Sequence, residues 1–335
     1  MTRAASASEL APMEVGLHGM RAIQLKAVFV DANPTLAGVA ERLLRLEDVA
    51  FTINRAPDIV ADELPAALSG AQIAIVDHTN LPTHIARQCA GLRDVVFLGT
   101  GARSYMNPDE LAELGIVVHT IKGYGDTAVA ECAIALMWAA ARDLSAMDRG
   151  IRAGQWLRTD ALQLTGRTIG LVGFGGIAAE VARLASGSGM RVLAWNREAK
   201  EHAAVTFVRI ETLLAESDVV SIHLALNDET KNFLSRERIA AMRPGAILIN
   251  TARGALVDED AMIDALRAGR LRHAGLDVFA VEPLPPGHPL TLLPNVTLSA
   301  HSAFRTPEAS ENLLRAAVAH CSAIAMRATD ASAGG

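Results

Sequence analysis

From Ala27 onward, short apolar runs rich in Val, Ile and Phe alternate with stretches whose apolar residues recur at helical spacing. AVFV (27–30), FTI near 51, an apolar run at 72–76, VVFL (95–98) and IVVHT (116–120) read as strands; segments around Leu36 to Leu46, 83–92 and 108–114 read as helices between them. Continuous rather than alternating hydrophobicity marks strands buried on both faces, so this alternation with short connections predicts a parallel sheet covered by helices on both sides. Thr127 to Ala153 carries apolar residues on most faces and reads as one long helix buried on several sides, between domains or subunits. A second series opens at Thr168 and runs through VVSIHLAL (219–226), AILIN (246–250), HAGLDV (273–278) and VTLSA (296–300). One amphipathic helix, Thr306 to about Arg327, then remains. A lone terminal helix must pack on something already built, and the economical arrangement returns it to the first unit.

Between Thr168 and Arg197 the pattern is strand, tight glycine turn, helix, strand. Gly173 makes the turn, Gly175 lets a backbone approach a pyrophosphate, and Ala178 permits close packing of helix on strand. The free N–H groups at the helix start, with Gly176 and Ile177 in its first turn, then face an anion. Glycines at this spacing are weak alone; the flanking strands give them meaning, because the second strand ends at Asn196, 21 residues after Gly175, where a residue that reads the ribose belongs. The turn is therefore read as a dinucleotide site. A purely structural glycine turn is the alternative.

At 335 residues with 50% of them hydrophobic, the chain can bury two substantial cores. The expected division is a disordered, Ala/Ser-rich extension at 1–22, a discontinuous substrate-binding domain at 23–122 plus 305–335, and an inserted dinucleotide-binding domain at 123–304. Net charge is −6 and the basic residues are dispersed, which argues against nucleic acid or an anionic membrane as partner. Three widely spaced cysteines, Cys89, Cys132 and Cys321, without a CxxC pair, fit a reducing compartment. With no signal-peptide core and no apolar stretch long enough to span a bilayer, a soluble, cytoplasmic protein is expected. His78 and His84 have poor ligand spacing, and no metal is expected.

Three ionisable residues sit at the carboxyl ends of predicted strands in the second unit, where open α/β sheets bind ligands. Arg253 follows AILIN, Glu282 follows GLDV, and His301 closes VTLSA. A guanidinium can fork onto the carboxylate and carbonyl of a 2-oxo acid. An imidazole can donate a proton to the carbonyl oxygen while hydride arrives on carbon. A carboxylate within about 4 to 6 Å of that imidazole would orient it and raise its pKa. Taken singly, each has an ordinary reading, as a loop-capping arginine, a solvated turn carboxylate and a strand-end histidine. Together, after a dinucleotide motif, they read as a catalytic set. Asn196 and Arg197 end the strand that reads the ribose. Asn196 cannot repel a 2′-phosphate and Arg197 can pair with one, with Lys200 and His202 close by in sequence, so NADP is the preferred cofactor and NAD the alternative.

GLVGFGGIAAEVA, DVVSIHLAL, GAILINTARGALVDEDAMIDALRAGRL, AGLDVFAVEPLP and VTLSAHSA resemble the D-isomer-specific 2-hydroxyacid dehydrogenase family, over most of residues 25 to 325. The INTARGALVDE segment is far more specific than the glycine turn. The resemblance implies an α/β fold of two doubly wound parallel-sheet domains, a Rossmann domain inserted into a flavodoxin-like one. It implies a homodimer, here through the 127–153 helix region, and reversible reduction of a small 2-oxo acid such as glyoxylate or hydroxypyruvate to a D-2-hydroxy acid. It assigns the catalytic roles to Arg253, Glu282 and His301. Asp277 would receive the nicotinamide carboxamide, and Thr251 joins the cofactor contacts. Val129-Ala130-Glu131 match the interdomain helix, and Gly99-Thr100-Gly101 the loop whose amides hold the substrate carboxylate. GTGARSYM departs from the usual G-x-G-x-D/N-N form of that loop, Gly176 stands where the family often has Arg, and Asn196 where NAD-using members usually carry Asp. Side-chain selectivity is assigned to first-unit loops around His78-Thr79-Asn80 and Gly99 to Met106. Two other readings are a dehydrogenase of a phosphorylated hydroxy acid, and a dinucleotide-sensing corepressor.

Overall fold

A computed structural model describes residues 25–43, 49–198 and 200–333. The extension expected at 1–22 lies outside the described residues. The first unit runs β1 (Leu25–Phe29), α1 (Pro34–Leu43), β2 (Val49–Ile53), α2 (Leu64–Ala67), β3 (Ile73–Val76), α3 (Thr83–Ala86), β4 (Asp94–Phe97), α4 (Pro108–Glu113) and β5 (Val117–Thr120). Two helices follow, α5 (Asp126–Ala141) and α6 (Leu144–Arg152). The second unit begins with β6 (Thr168–Val172), α7 (Gly176–Gly187), β7 (Arg191–Trp195), β8 (Thr206–Phe207), α8 (Ile210–Glu216) and β9 (Val219–Ile222). It continues with α9 (Arg236–Ala241), β10 (Ala246–Asn250), α10 (Glu259–Arg267), β11 (Leu271–Leu276), α11 (Pro289–Leu292) and β12 (Val296–Leu298), and α12 (Pro307–Ala333) closes the chain.

The strands form two sheets, ordered β2-β1-β3-β4-β5 and β12-β11-β10-β9-β6-β7-β8, and every pairing is parallel. The first is the flavodoxin-like order; the second is the Rossmann order with one strand added beyond its sixth. All residues of β3, β6, β9 and β10 are buried, as parallel strands covered on both faces must be. In each sheet the strand order reverses between two neighbours, β1 and β3 in the first and β6 and β9 in the second, and it is there that loops diverge to leave a crevice.

Helix α5 belongs to the second sheet's core: Ala130, Ala133, Leu136 and Met137 pack with Val181 and Ala182 of α7. Helix α12 crosses back to the first sheet, where Leu313, Leu314, Ala317 and Cys321 pack with Phe29, Ile75 and Val96. Each fully buried Leu contributes roughly 1.5–3 kcal/mol, enough to hold a terminal helix to a sheet far upstream. Among the described residues no helix is long and apolar enough to cross a membrane.

Two expected helices are shorter in the structure. The one expected at 83–92 ends at Ala86, and the chain continues in tight turns, Gln88 N–H to Ile85 O and Cys89 N–H to Ala86 O, as far as Gly91. Gly91, at φ +91°, reverses the chain into β4. The helix expected at 127–153 breaks at Asp143, which adopts φ +52°. Its carboxylate is drawn onto Arg272 Nη2 at 3.2 Å and the buried His273 Nδ1 at 3.3 Å, both on β11, and that distant ion pair ends α5 where local pattern would continue it.

Candidate active site

The carboxyl ends of both sheets open onto one cavity of about 1780 Å³. That exceeds the roughly 300–1,000 Å³ of an ordinary small-molecule site and leaves room for a dinucleotide beside a small acid. The second sheet contributes Thr251 and Arg253 after β10, Asp277 after β11, and His301 after β12; the first contributes the loops after β3 and β4.

Arg253 leaves β10 through a turn that Asn250 stitches, its Nδ2 donating to Arg253 O at 2.9 Å and its Oδ1 accepting from Ala252 N at 3.0 Å. The guanidinium then reaches the other sheet. A Cβ built on Gly101 would fall 2.4 Å from Arg253 Nη2, with Cζ at 3.5 Å, so the guanidinium brings its Nη2 end against the glycine loop after β4. His301 Nδ1 and Glu282 Oε2 are 2.6 Å apart, each side chain about a third exposed. Glu282 also accepts from Phe279 N–H at 2.8 Å. Burial pushes the Glu282 carboxyl up, but the His301 and Phe279 hydrogen bonds, with the charges of His301 and Arg253, outweigh it and hold the group below the usual carboxylate range. With Nδ1 engaged by Glu282, His301 has Nε2 left for a ligand. His301 itself sits at φ +47°, a costly conformation for a residue with a Cβ and one that clusters at functional sites. Its loop is fastened by Asp277, whose fully buried carboxylate accepts from the Ser299 hydroxyl, Ser302 N at 3.0 Å and Ala303 N at 2.9 Å.

The fit of a dinucleotide to the second unit can be judged on three features. Gly173 has φ +89°, and a Cβ there would meet His223 O at 2.7 Å, so only glycine serves between β6 and β9. A Cβ at Gly175 would meet nothing within 4 Å, which leaves the backbone before α7 open to a ligand. The Thr251 hydroxyl is buried with no hydrogen-bond partner among the described residues, an unmet group of the kind a ligand satisfies. An open cradle at a helix N-terminus and an orphaned hydroxyl at the tip of β10, two strands away in the same sheet, fit a dinucleotide. Ile177 lines the same cavity. Asn196 is occupied by the chain itself: Oδ1 accepts from Phe174 N–H at 3.1 Å and Nδ2 donates to Glu198 O at 3.0 Å. Arg197 Nη1 pairs with Glu229 Oε2 at 3.0 Å, both side chains about three quarters exposed. Lys200 Nζ donates to Phe174 O at 2.5 Å, and the His202 ring packs edge-on against Phe174.

Of the first-unit loops, Gly99 to Tyr105, including Thr100 and Gly101, line the cavity, as does His78. Thr79 does not: its N–H and hydroxyl both donate at 2.8 Å to the fully buried Asp31, which also binds the N–H groups of Asp77 and His78. His78 Nδ1 lies 3.2 Å from Asp77 Oδ2. The bond to Asp77, and the charges of Asp31 and Asp77, push the His78 imidazole up to about 9 against the opposing effect of burial.

Tyr124, His223 and Asp126 also line the cavity and escaped the sequence reading, whereas Tyr105 was covered only as part of the Gly99 to Met106 loop. The chain has two tyrosines, and both face this cavity. Tyr105 packs on Phe97 with ring centroids 5.4 Å apart; Tyr124 meets Phe304 edge-on and is pushed up to about 12, chiefly by burial. Their scarcity was a usable signal. His223, directly after β9, bonds Ser221 Oγ through Nε2 at 2.9 Å, and burial lowers its imidazole to about 4, so it is neutral. Its place at a strand tip was legible. Asp126, at the start of α5, was not singled out by any local pattern. Among the described residues no group of three or more His, Cys, Asp or Glu side chains is disposed to hold a metal ion.

The family model for D-isomer specific 2-hydroxyacid dehydrogenase, NAD binding domain, matches residues 134–303. A glyoxylate reductase of Aeropyrum pernix is 40% identical over 222 residues, 60% of this chain and 66% of that protein; the alignments with the first curated relatives thus span just under two thirds of their length. A glycerate dehydrogenase of Methylorubrum extorquens is 32% identical over 298 residues, 86% of this chain and 92% of that protein. Among solved structures, one from Thermus thermophilus superposes with a TM-score of 0.78 at 35% identity, covering 88% of this chain and 94% of that one.

Proposed function

Since the chain belongs to the D-isomer-specific 2-hydroxyacid dehydrogenases, we propose that it reduces a small 2-oxo acid, such as glyoxylate or hydroxypyruvate, to the D-2-hydroxy acid with a reduced nicotinamide dinucleotide. The observation that carries the reading is the meeting, in one cavity, of a guanidinium brought against the Gly101 loop with an imidazole held at 2.6 Å by a carboxylate. The cofactor supplies the hydride. Arg253 forks onto the substrate carboxylate and carbonyl, and the backbone at Thr100 and Gly101 takes the carboxylate from the other side. His301, oriented through Nδ1 by Glu282, gives the carbonyl oxygen a proton from Nε2 during reduction and recovers it during oxidation. Asp277 receives the nicotinamide carboxamide and also holds the His301 loop, so one buried carboxylate sets both partners of the reaction. Tyr105 and Tyr124, neutral hydroxyl donors whose rings face the cavity, are proposed as walls of the substrate side-chain pocket.

NADP(H) is the proposed preference. Arg197 stands after β7 with no acidic residue at 196, and binding a 2′-phosphate would have it exchange Glu229 for that group. Gly173, Gly175, Gly176 and Ile177 form the pyrophosphate cradle, and the Thr251 hydroxyl meets the cofactor. A homodimer is proposed through α5, α6 and the segment after them, where Leu144, Ile151, Trp156 and Leu157 are exposed, Trp156 at 78%.

The test is a panel of 2-oxo acids with NADPH and NADH, read by loss of reduced-nicotinamide absorbance and by chiral analysis of product. Saturable turnover is expected of a two-carbon acid, whose product is achiral, or of a three-carbon acid to its D-product. No consumption of either cofactor, or an L-product, would refute the reading.

A further inference from the structure

The first residue of α5, Asp126, places its carboxylate on the first residue of α7. A Cβ built at Gly176 would fall 1.8 Å from Asp126 Oδ2 and 2.8 Å from its Cγ, so only a glycine leaves room for this approach. The carboxylate lines the large cavity. No counter-ion among the described residues offsets its charge: burial pushes the carboxyl up, and the nearby charge of Glu180, one turn along α7, pushes it further in the same direction. No cation or hydrogen-bond donor among the described residues opposes them. Tyr124, two residues before it, is neutral, and the segment leading into α12 presents only Phe304 and Ala309 carbons to the adjoining Gly125. An uncompensated, half-buried carboxylate in a cleft is costly and points to function. The favourable influence within reach is the field of α7's N-terminus, which attracts anions. That is the field a dinucleotide pyrophosphate also requires.

We propose that Asp126 is a resident anion of the cofactor cradle: it occupies the field of α7's N-terminus in the free enzyme and competes with the pyrophosphate, so cofactor affinity falls as pH rises and release is eased. The proposal rests on the reading of this turn as the dinucleotide site. Gly176 is its second half, since it admits the carboxylate and offers no cation in its place. A dinucleotide binds when Asp126 is protonated or swings away from Gly176. Because α5 packs on α7 and follows directly on the first sheet's last strand, such a swing would be felt where the two sheets face each other.

The test is calorimetric titration of the full chain with ADP-ribose, which carries the pyrophosphate but neither nicotinamide nor a terminal phosphate that titrates. Two like charges a few ångströms apart at a partly solvated site predict about tenfold weaker binding with the carboxylate charged than with it neutral, and so weaker binding at about pH 8 than at about pH 5. Asp126→Asn is expected to bind ADP-ribose about tenfold more tightly than the unaltered protein at the higher pH, with the difference narrowing at the lower. Asp126→Ser, smaller and also neutral, is expected to do the same, which separates charge from shape. Adenosine, lacking the pyrophosphate, is expected to show no difference. Equal or weaker binding of ADP-ribose by both variants at the higher pH, with the unaltered protein binding it, overturns this inference alone. Failure of the unaltered protein to bind ADP-ribose at either pH overturns the dinucleotide reading and this inference with it.

Discussion

Replacing Gly101 by alanine perturbs the carboxylate clamp without touching the residue that carries the charge. The backbone there has φ −98° and ψ 38°, which alanine tolerates, so the added methyl acts by collision and not by strain. Its Cβ would stand 2.4 Å from Arg253 Nη2, about 1 Å short of ordinary van der Waals contact, and Arg253 Nη1 is tethered to Ala252 O at 2.6 Å. The guanidinium must therefore retreat by about 1 Å from the position in which it faces the substrate. Misplacement of that size costs on the order of 100-fold in kcat/KM, about 2.7 kcal/mol. Thermal stability and cofactor Kd are expected to stay near those of the unaltered enzyme, because neither the core nor the α7 turn is involved. Arg253→Lys, which loses the fork, is expected to cost a similar two or more orders of magnitude, about 3 kcal/mol. Lysine has no Nη2 to collide with, so adding Gly101→Ala to it should cost little more, and a double-mutant cycle reads that coupling. A Gly101→Ala enzyme within threefold of the unaltered one on a small 2-oxo acid, or strict additivity of the two changes, would refute the clamp.

Reduction requires protonated His301, so its kcat/KM is expected to fall as pH rises through the imidazole's pKa, while that for oxidation falls as pH drops through it. Glu282, held below the usual carboxylate range, stays charged throughout, so Glu282→Gln should move both limbs to lower pH; the same limb in both directions would remove His301 as the proton carrier. Arg197→Ala with Asn196→Asp should reverse the ratio of kcat/KM with NADPH to that with NADH, since attraction is deleted and repulsion installed. A ratio favouring NADH tenfold or more in the unaltered enzyme would sink the reading of Arg197. Trp156→Asp combined with Leu157→Asp should convert a dimer to monomers by sedimentation, and an unchanged assembly would place the interface elsewhere.

The strands, their parallel pairing and the glycine turn were legible in the sequence because each is a local consequence of residue type: a strand buried on both faces is an unbroken apolar run, and a turn at φ +89° before a helix needs glycine. The strand-tip placement of Arg253, Glu282 and His301 followed from the same runs, since parallel strands bring their carboxyl ends to one edge. The break at Asp143 was not legible, because its carboxylate pairs with Arg272, beside the buried His273, on a strand that follows much later. Nor was the turning of Thr79 away from the cavity, which a buried carboxylate on β1's exit loop imposes. The contacts that matter most to the proposed chemistry, Arg253 on Gly101 and Asp126 on Gly176, join segments remote in the chain. Side-chain periodicity reports which face of an element is buried; it carries no information on how two sheets are turned toward each other. Only the tertiary structure decides that, with α5 packed into the second sheet's core and α12 returned to the first's.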